Sequence, residues 1–212
     1  MIDRSGVILR AATPDDATVC GDLLFMTWPG LYLALLGDRS RAARALAALF
    51  RVSGNTFSWE ASRVADREGT VIGLASSYPA EEGQRRATSS LWPAFVALGP
   101  FSFVRVVTGI WRIADASIGV DPGHFYLANV AVSAGARGRG TGGLLLRDAE
   151  LRATERGCRG VSLEVDGANG DARRFYEREG YHVVEARESR RLATLTGSGT
   201  RLLMSKDFSP EQ

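Results

Sequence analysis

Apolar residues recur along the chain at two periods, and the switches between them mark its elements. Val7-Ile8-Leu9-Arg10-Ala11 reads as a short strand. Thr13-Pro14-Asp15-Asp16 is a helix start, with Thr as N-cap, Pro at the first helical position and acids in the first turn. That helix is expected to reach about Trp28, where Pro29-Gly30 ends it. Residues 41–52 predict a second helix with Leu46, Leu49 and Phe50 on one face. Phe57, Trp59 and Ala61 then alternate with Ser58, Glu60 and Ser62, the period of a half-buried strand. Residues 56–66 and 70–78 therefore predict a hairpin that turns at Arg67-Glu68-Gly69.

Residues 79–86 read as a polar connector. Residues 91–114 are almost free of charge, interrupted by Arg105, Arg112, Pro93 and Gly99-Pro100, and predict two short buried helices. These breakers argue against a membrane span. The second half alternates cleanly. A strand at 125–132 leads through a glycine-rich loop at 135–143 into a helix at 144–156. A strand at 160–165, a helix at 169–179 and strands at 181–186 and 201–207 follow. The pattern predicts an α/β fold whose sheet is part parallel and part antiparallel, in a single domain over 1–212 with 79–123 as an apolar helical insertion.

Composition narrows the chemistry. Of the 26 basic residues only Lys206 is a lysine, and 24 acidic residues leave a net charge of +2. No phosphate-neutralising nucleic-acid binder is indicated. No Gly-Lys-Ser/Thr P-loop exists, and Lys206 in a polar tail is a poor Schiff-base candidate. Cys20 and Cys158 are too few for a disulfide framework or a zinc site and read as small buried residues of a reducing, cytoplasmic compartment. His124 and His182 are far apart with no Cys neighbours, so no metal centre is expected. The opening Met-Ile-Asp-Arg-Ser-Gly carries no apolar run of the signal-peptide type.

The strongest chemical signal is Arg137-Gly138-Arg139-Gly140-Thr141-Gly142-Gly143, set between a strand and a helix. Glycines let the backbone come close, successive N–H groups can face one ligand, and a helix N-terminus adds partial positive charge. The pattern is a cradle for phosphate or pyrophosphate. Gly138, Gly140 and Gly143 spell G-x-G-x-x-G, with Glu164 about where a ribose-binding acid of a dinucleotide fold would stand. Against that reading, Ser133 to Arg137 separate the glycines from their strand, and 69 residues remain after Gly143. The other reading takes Arg137, Gly140 and Gly142 as R-x-x-G-x-G.

With that second reading the chain resembles the GCN5-related N-acetyltransferase (GNAT) superfamily. The resemblance rests on Leu127-Ala-Asn-Val-Ala-Val132, the R-x-x-G-x-G loop, Leu163-Glu164-Val165, Asn169 and Phe175-Tyr176-Glu-Arg-Glu-Gly-Tyr181, in that order. The opening Leu9-Arg-Ala-Ala-Thr-Pro-Asp-Asp-Ala17 resembles the family's first strand and helix. The resemblance implies a mixed, mostly antiparallel central sheet flanked by helices, with acetyl-coenzyme A as the acetyl donor. It places the pyrophosphate on Gly138, Arg139, Gly140, Thr141, Gly142 and Gly143, with Arg137 beside them, and the pantetheine arm along Val130, Ala131 and Val132. It gives Asn169 a coenzyme contact and Tyr176 the role of acid to the leaving thiolate. Ala134 departs from the Pro found in many members, which should cost loop rigidity rather than chemistry.

The implied reaction is direct transfer to an amine in a ternary complex. Glu164 is the first candidate for the base, with Glu60, Tyr126, Asn129 and His124 as alternatives. The five aromatics Trp92, Phe95, Phe101, Phe103 and Trp111 are expected to form core and pocket wall, or the face of a homodimer. An apolar wall suits the amine of a small hydrophobic molecule. The alternatives are a protein or peptide acceptor, at an N-terminus or side chain, and a non-catalytic coenzyme-A-binding module.

Overall fold

The computed structural model describes residues 6–208. Met1 to Ser5, most of the segment read above for a leader, lie outside the described residues. In chain order the elements are β1 (Val7–Ala11), α1 (Ala17–Phe25), α2 (Pro29–Leu36), α3 (Arg39–Phe50), β2 (Ser62–Arg67) and β3 (Thr70–Pro79). Then come α4 (Gly83–Ser89), α5 (Leu91–Arg112), β4 (His124–Val132), α6 (Thr141–Glu155), β5 (Gly160–Asp166), α7 (Gly170–Arg178), β6 (His182–Glu188), α8 (Arg190–Thr196) and β7 (Thr200–Asp207). The described residues form a seven-stranded sheet in the order β1-β2-β3-β4-β5-β7-β6. Only β4 and β5 pair in parallel; the other neighbours are antiparallel.

Two apolar layers sandwich the sheet. On one face α1, α2 and α3 bury Leu24, Leu46 and Phe50 against Val64 and Leu74. On the other, α6 buries Leu145, Leu146 and Ala149 against Phe125, Val161 and Leu163. The first layer depends on a close helix approach. A Cβ on Gly21 would stand 2.4 Å from the Ala43 carbonyl oxygen and 2.8 Å from Ala47 Cβ, so only glycine lets α1 lie this near α3. At the sheet's first edge, Arg10 joins β1 to its neighbours, 2.8 Å from Asp16 and 3.0 Å from Asp66. Asp16 also accepts from the Thr13 backbone N–H at 2.8 Å.

Several expectations need correction. The first helix stops at Phe25 rather than Trp28, and Pro29 does not end a helix but opens α2 at its first position, where a missing N–H is harmless. Residues 56–61 are not a strand. Buried Asn55 donates to the Leu49 carbonyl and accepts from the Phe57 N–H, tying the chain into turns, and β2 starts only at Ser62. The polar connector holds α4, closed by an Arg86–Glu82 pair at 2.8 Å. A short helix, α8, precedes β7; Ser189 caps its start and Gly197, at φ 83°, ends it.

The largest correction concerns α5. It is broken at Gly99 (φ 71°, ψ 168°), as Gly99-Pro100 foretold, but it is not buried: Gly109 is its one buried residue. Gly109 packs on α2, where an added Cβ would stand 2.3 Å from Leu35 Cδ2. Leu98 and Val106 lean on the same layer, while Trp92, Phe101 and Trp111 face outward. The aromatics are therefore not core.

Two outcomes follow. Gly21→Ala must push α1 off α3, and is expected to cost about 1–3 kcal/mol, or about 2–12 °C in Tm, measured by thermal unfolding. Hydrogen bonding from Arg10 holds the Asp16 carboxyl below its ordinary value. A depressed folded-state pKa stabilises above the unfolded value of about 3.9 and loses that stability as pH falls through the folded pKa. Asp16→Asn should therefore lower the midpoint at neutral pH while flattening its fall below about pH 4.

Candidate active site

Strands β4 and β5 run side by side only from His124–Gly160 to Leu127–Leu163. Beyond that point they part. On its other side β4 stays paired with β3 through Val132, but the register slips between Ser76–Asn129 and Ser77–Leu127, a bulge at Ala128. A bulge bends and twists the strand that carries it. On its far side β5 remains in register with β7 to Asp166. The two strands are thus held by different neighbours while their facing edges open. Unpaired backbone donors and acceptors line that gap and call for a partner.

The gap widens into a cleft of about 780 Å³. Val130, Ala131 and Val132 form one wall; Glu164, Val165 and Asp166 form the other. At one end stands the glycine loop. Gly138 (φ 72°) and Gly140 (φ 82°) both adopt the left-handed conformation that glycine alone takes easily. This turns the chain into α6, whose first turn carries no acid. Gly138, Gly140, Thr141, Gly142 and Gly143 all line the cleft. The Thr141 side chain is buried, with Oγ1 unpartnered among the described residues, so this residue offers the cleft its backbone. Arg137 lines the cleft and donates from Nε to the Val132 carbonyl at 3.1 Å. Arg139 lies outside the cleft wall and is exposed.

Asn169 and Tyr176 reach the same cleft from α7. Asn169 Oδ1 is engaged as the helix cap, accepting from the Ala172 N–H at 3.1 Å. Tyr176 packs edge-on to Tyr181 with ring centroids 5.9 Å apart. Burial alone pushes its phenol up to about 12, so it keeps its proton throughout the neutral range. Glu164 lies deeper, with both oxygens held. Oε1 accepts from Tyr126 Oη at 3.2 Å, and Oε2 accepts from Arg201 at 2.6 and 3.1 Å. Arg201 in turn stacks on Trp28, 4.0 Å from the ring centre.

Of the other base candidates, Tyr126 and Asn129 line the cleft and Glu60 and His124 do not. Glu60 sits in a short turn, accepting from the Gly54 N–H. Buried His124 is fixed by Ser162 and Asp207 at 2.7 and 3.0 Å, at the closed end of the β4–β5 pair. The dinucleotide reading fails on the sheet: a Rossmann fold needs several adjacent parallel strands, and the described residues form one parallel pair. Among the described residues no group of three or more His, Cys, Asp and Glu side chains gathers as a metal site would.

The sequence profile of the acetyltransferase (GNAT) family matches residues 38–181, more than half of the chain. The chain belongs to the acetyltransferase (GNAT) family. No curated protein matches it. Solved structures match the fold. One described simply as an acetyltransferase is 22% identical with a TM-score of 0.71, over 95% of this chain and 100% of that one. An N-acetyltransferase from Staphylococcus aureus Mu50 is 18% identical with a TM-score of 0.73, over 94% and 100%. A GCN5-related N-acetyltransferase from Kribbella flavida is 20% identical with a TM-score of 0.55, over 97% and 100%.

In this GNAT fold a second pocket, of about 700 Å³, adjoins the cleft and shares Trp28, Tyr126, Glu164 and Arg201 with it. Its remaining wall is largely apolar, with Leu91, Val107, Ile110 and Trp111 from α5 and Ile113 beyond it. Of the five aromatics expected to form core and pocket wall, only Trp111 lines this pocket. Sequence reasoning missed Trp28 and Arg201. The signal for Arg201 was a lone charge entering the apolar run Leu202-Leu203-Met204. Register then sets Leu203 opposite Glu164, which puts Arg201 on the diagonal within its reach. Nothing local marks Trp28, which arrives through the break between α1 and α2.

The Arg201–Glu164 pair is almost buried, with side chains 11% and 14% exposed. Arg201→Met leaves the carboxylate without its partner and is expected to cost about 3 kcal/mol in chemical denaturation. Adding Glu164→Gln should recover much of that loss, because the double variant buries no unpaired charge.

Proposed function

We propose that the chain is an N-acetyltransferase that moves the acetyl group of acetyl-coenzyme A onto the primary amine of a small, largely apolar molecule, by direct attack in a ternary complex. The observation that carries this reading is the parting of β4 and β5. It places an open backbone edge, a glycine-lined helix start and two ionisable side chains in one cleft. These features fit the coenzyme: backbone N–H groups at a helix N-terminus suit a pyrophosphate, and an open strand edge suits an amide-bearing arm. When bound, acetyl-coenzyme A supplies an acetyl group activated as a thioester.

The chain's own residues do the rest. Gly138, Gly140, Thr141, Gly142 and Gly143 offer backbone N–H groups at the start of α6. Val130, Ala131 and Val132 offer the strand edge. Tyr176 holds a proton on Oη at the cleft wall, ready for a thiolate. In this reading Glu164 accepts the amine proton, directly or through a water, and Tyr126 and Arg201 fix its orientation. Trp28 and α5 line the acceptor side with apolar surface. The apolar second pocket favours a small apolar amine over a polycation, which would want clustered carboxylates.

The test is thermal unfolding with acetyl-coenzyme A or NADH, followed by a thiol-release assay over a panel of amines. Saturation at about 100 times the dissociation constant adds about 2.7 kcal/mol, or about 5–11 °C here. A shift with acetyl-coenzyme A and none with NADH is expected; the reverse, or no shift, overturns the reading. Tyr176→Phe is expected to keep the shift and lose about 10²- to 10⁴-fold in kcat. Unchanged turnover in that variant removes Tyr176 as the acid. A shift without turnover on any amine or peptide favours a coenzyme-A-binding module.

A further inference from the structure

Helix α5 presents an apolar face that the rest of the chain does not cover. Trp92, Phe101 and Trp111 are 72%, 91% and 79% exposed, and Leu91, Val96, Val104 and Ile110 are exposed beside them. So large a contiguous patch on a folded surface marks an interaction site. By length and composition the stretch Ala80–Arg112 could cross a bilayer. Its geometry says otherwise. The helix is broken at Gly99-Pro100, and its inner side is docked on the protein through Gly109 against Leu35 and through the bond from Arg105 to the Ala34 carbonyl. A helix fixed along one flank to a folded domain can lie on a bilayer but cannot thread it.

Charge decides what covers the face. Between Glu82 and Asp115 the chain holds no acidic residue, but it carries Arg85, Arg86, Arg105 and Arg112. Arg85 and Arg86 are answered by Glu82. Arg112 is exposed beside Trp111, and Arg105 is exposed at the docked flank, where it donates to the Ala34 carbonyl; neither forms a salt bridge among the described residues. A second copy packed face to face would bring the two Arg112 side chains onto one interface with no carboxylate on the patch to meet them. Anionic lipid headgroups meet them directly. Tryptophan near each end of the helix suits the headgroup level, where an amphipathic ring keeps its N–H wet and its body apolar.

The position of the face adds a consequence. The pocket that adjoins Glu164 opens onto this face: Leu91, Ile110 and Trp111, all exposed, line it together with Val107. We propose that α5 seats the protein on an anionic bilayer surface, and that the acceptor is an amphiphile, an amine with an apolar tail, that enters the pocket from that surface. The docking stands on the face alone; the acceptor class rests on the acetyltransferase reading.

Co-sedimentation with phosphatidylcholine vesicles, with and without phosphatidylglycerol, tests the docking. Binding to the anionic vesicles that weakens with salt is expected. Phe101→Glu should weaken it more than about ten-fold and leave the melting temperature unchanged, since that ring touches little. Arg112→Gln should weaken it about five-fold, the equivalent of about 1 kcal/mol for one cation near a charged surface. Absence of vesicle binding, equal binding to neutral vesicles, or a dimer in solution that Phe101→Glu dissolves would each overturn the docking. Thiol release with dodecylamine in anionic vesicles, against ethylamine, tests the acceptor. At least about ten-fold higher kcat/KM for dodecylamine is expected, and a preference for ethylamine overturns the acceptor class. The thermal shift with acetyl-coenzyme A is read separately: its absence defeats the acetyltransferase reading and leaves the vesicle result standing.

Discussion

The separation of β4 from β5 is the constraint on which the rest of the molecule depends. Backbone groups inside a sheet are normally answered by the next strand, and leaving several unanswered costs free energy. The protein tolerates this because each strand is secured from its other side, β4 by β3 and β5 by β7. The bulge at Ala128 turns β4 away at the point where parallel pairing ends. Phe125, Leu127, Val161 and Leu163, all fully buried, hold the closed end of the pair together under α6. The opening is thus stabilised by the core next to it.

The two ends of the opening differ in chemistry. At the loop end, left-handed glycines expose backbone N–H groups at the start of a fifteen-residue helix, and Arg137 and Arg147 add positive charge. At the other end, the polar groups are few and all mutually engaged: Tyr126, Glu164 and Arg201, with Trp28 stacked over the guanidinium. Around them the wall is apolar. A charge network of this kind is held in one orientation by its own hydrogen bonds, and the low polarity of its surroundings strengthens them. The loop end therefore presents charge and backbone geometry, and the other end shape and apolar surface.

The fold was legible where local chemistry and long-range packing agree. The strand, glycine loop, helix and strand from β4 to β5 stand close to where periodicity put them, because each is amphipathic against the same core and bounded by glycines with positive φ. Legibility failed where one residue type serves two geometries. Pro29 both stops and starts helices, and only the packing of α2 on α3 and α5 shows which it does here. Phe57, Trp59 and Ala61 alternate like a strand, but Asn55 claims the nearby backbone groups first. The aromatics of α5 looked like core because large apolar side chains usually are. Their exposure depends on which side of the helix the small Gly109 turns toward Leu35.

The site divides along the same line. Residues that act through backbone conformation or a contiguous motif, Gly138 to Gly143 and the run from Phe175 to Tyr181, are written in the sequence, since glycine placement and helix phase are local properties. Trp28 and Arg201 are not. One comes from a break between helices and the other from the last strand, and they meet over Glu164 only through the seating of the helices on the sheet together with strand order and register. Sequence alone determined the α/β class, the glycine-rich turn into a helix and the family resemblance, because these rest on short-range steric and periodic rules. Tertiary structure alone decided where the strands part, how Glu164 is held and that the apolar helix faces outward, because each depends on contacts between residues far apart in the chain.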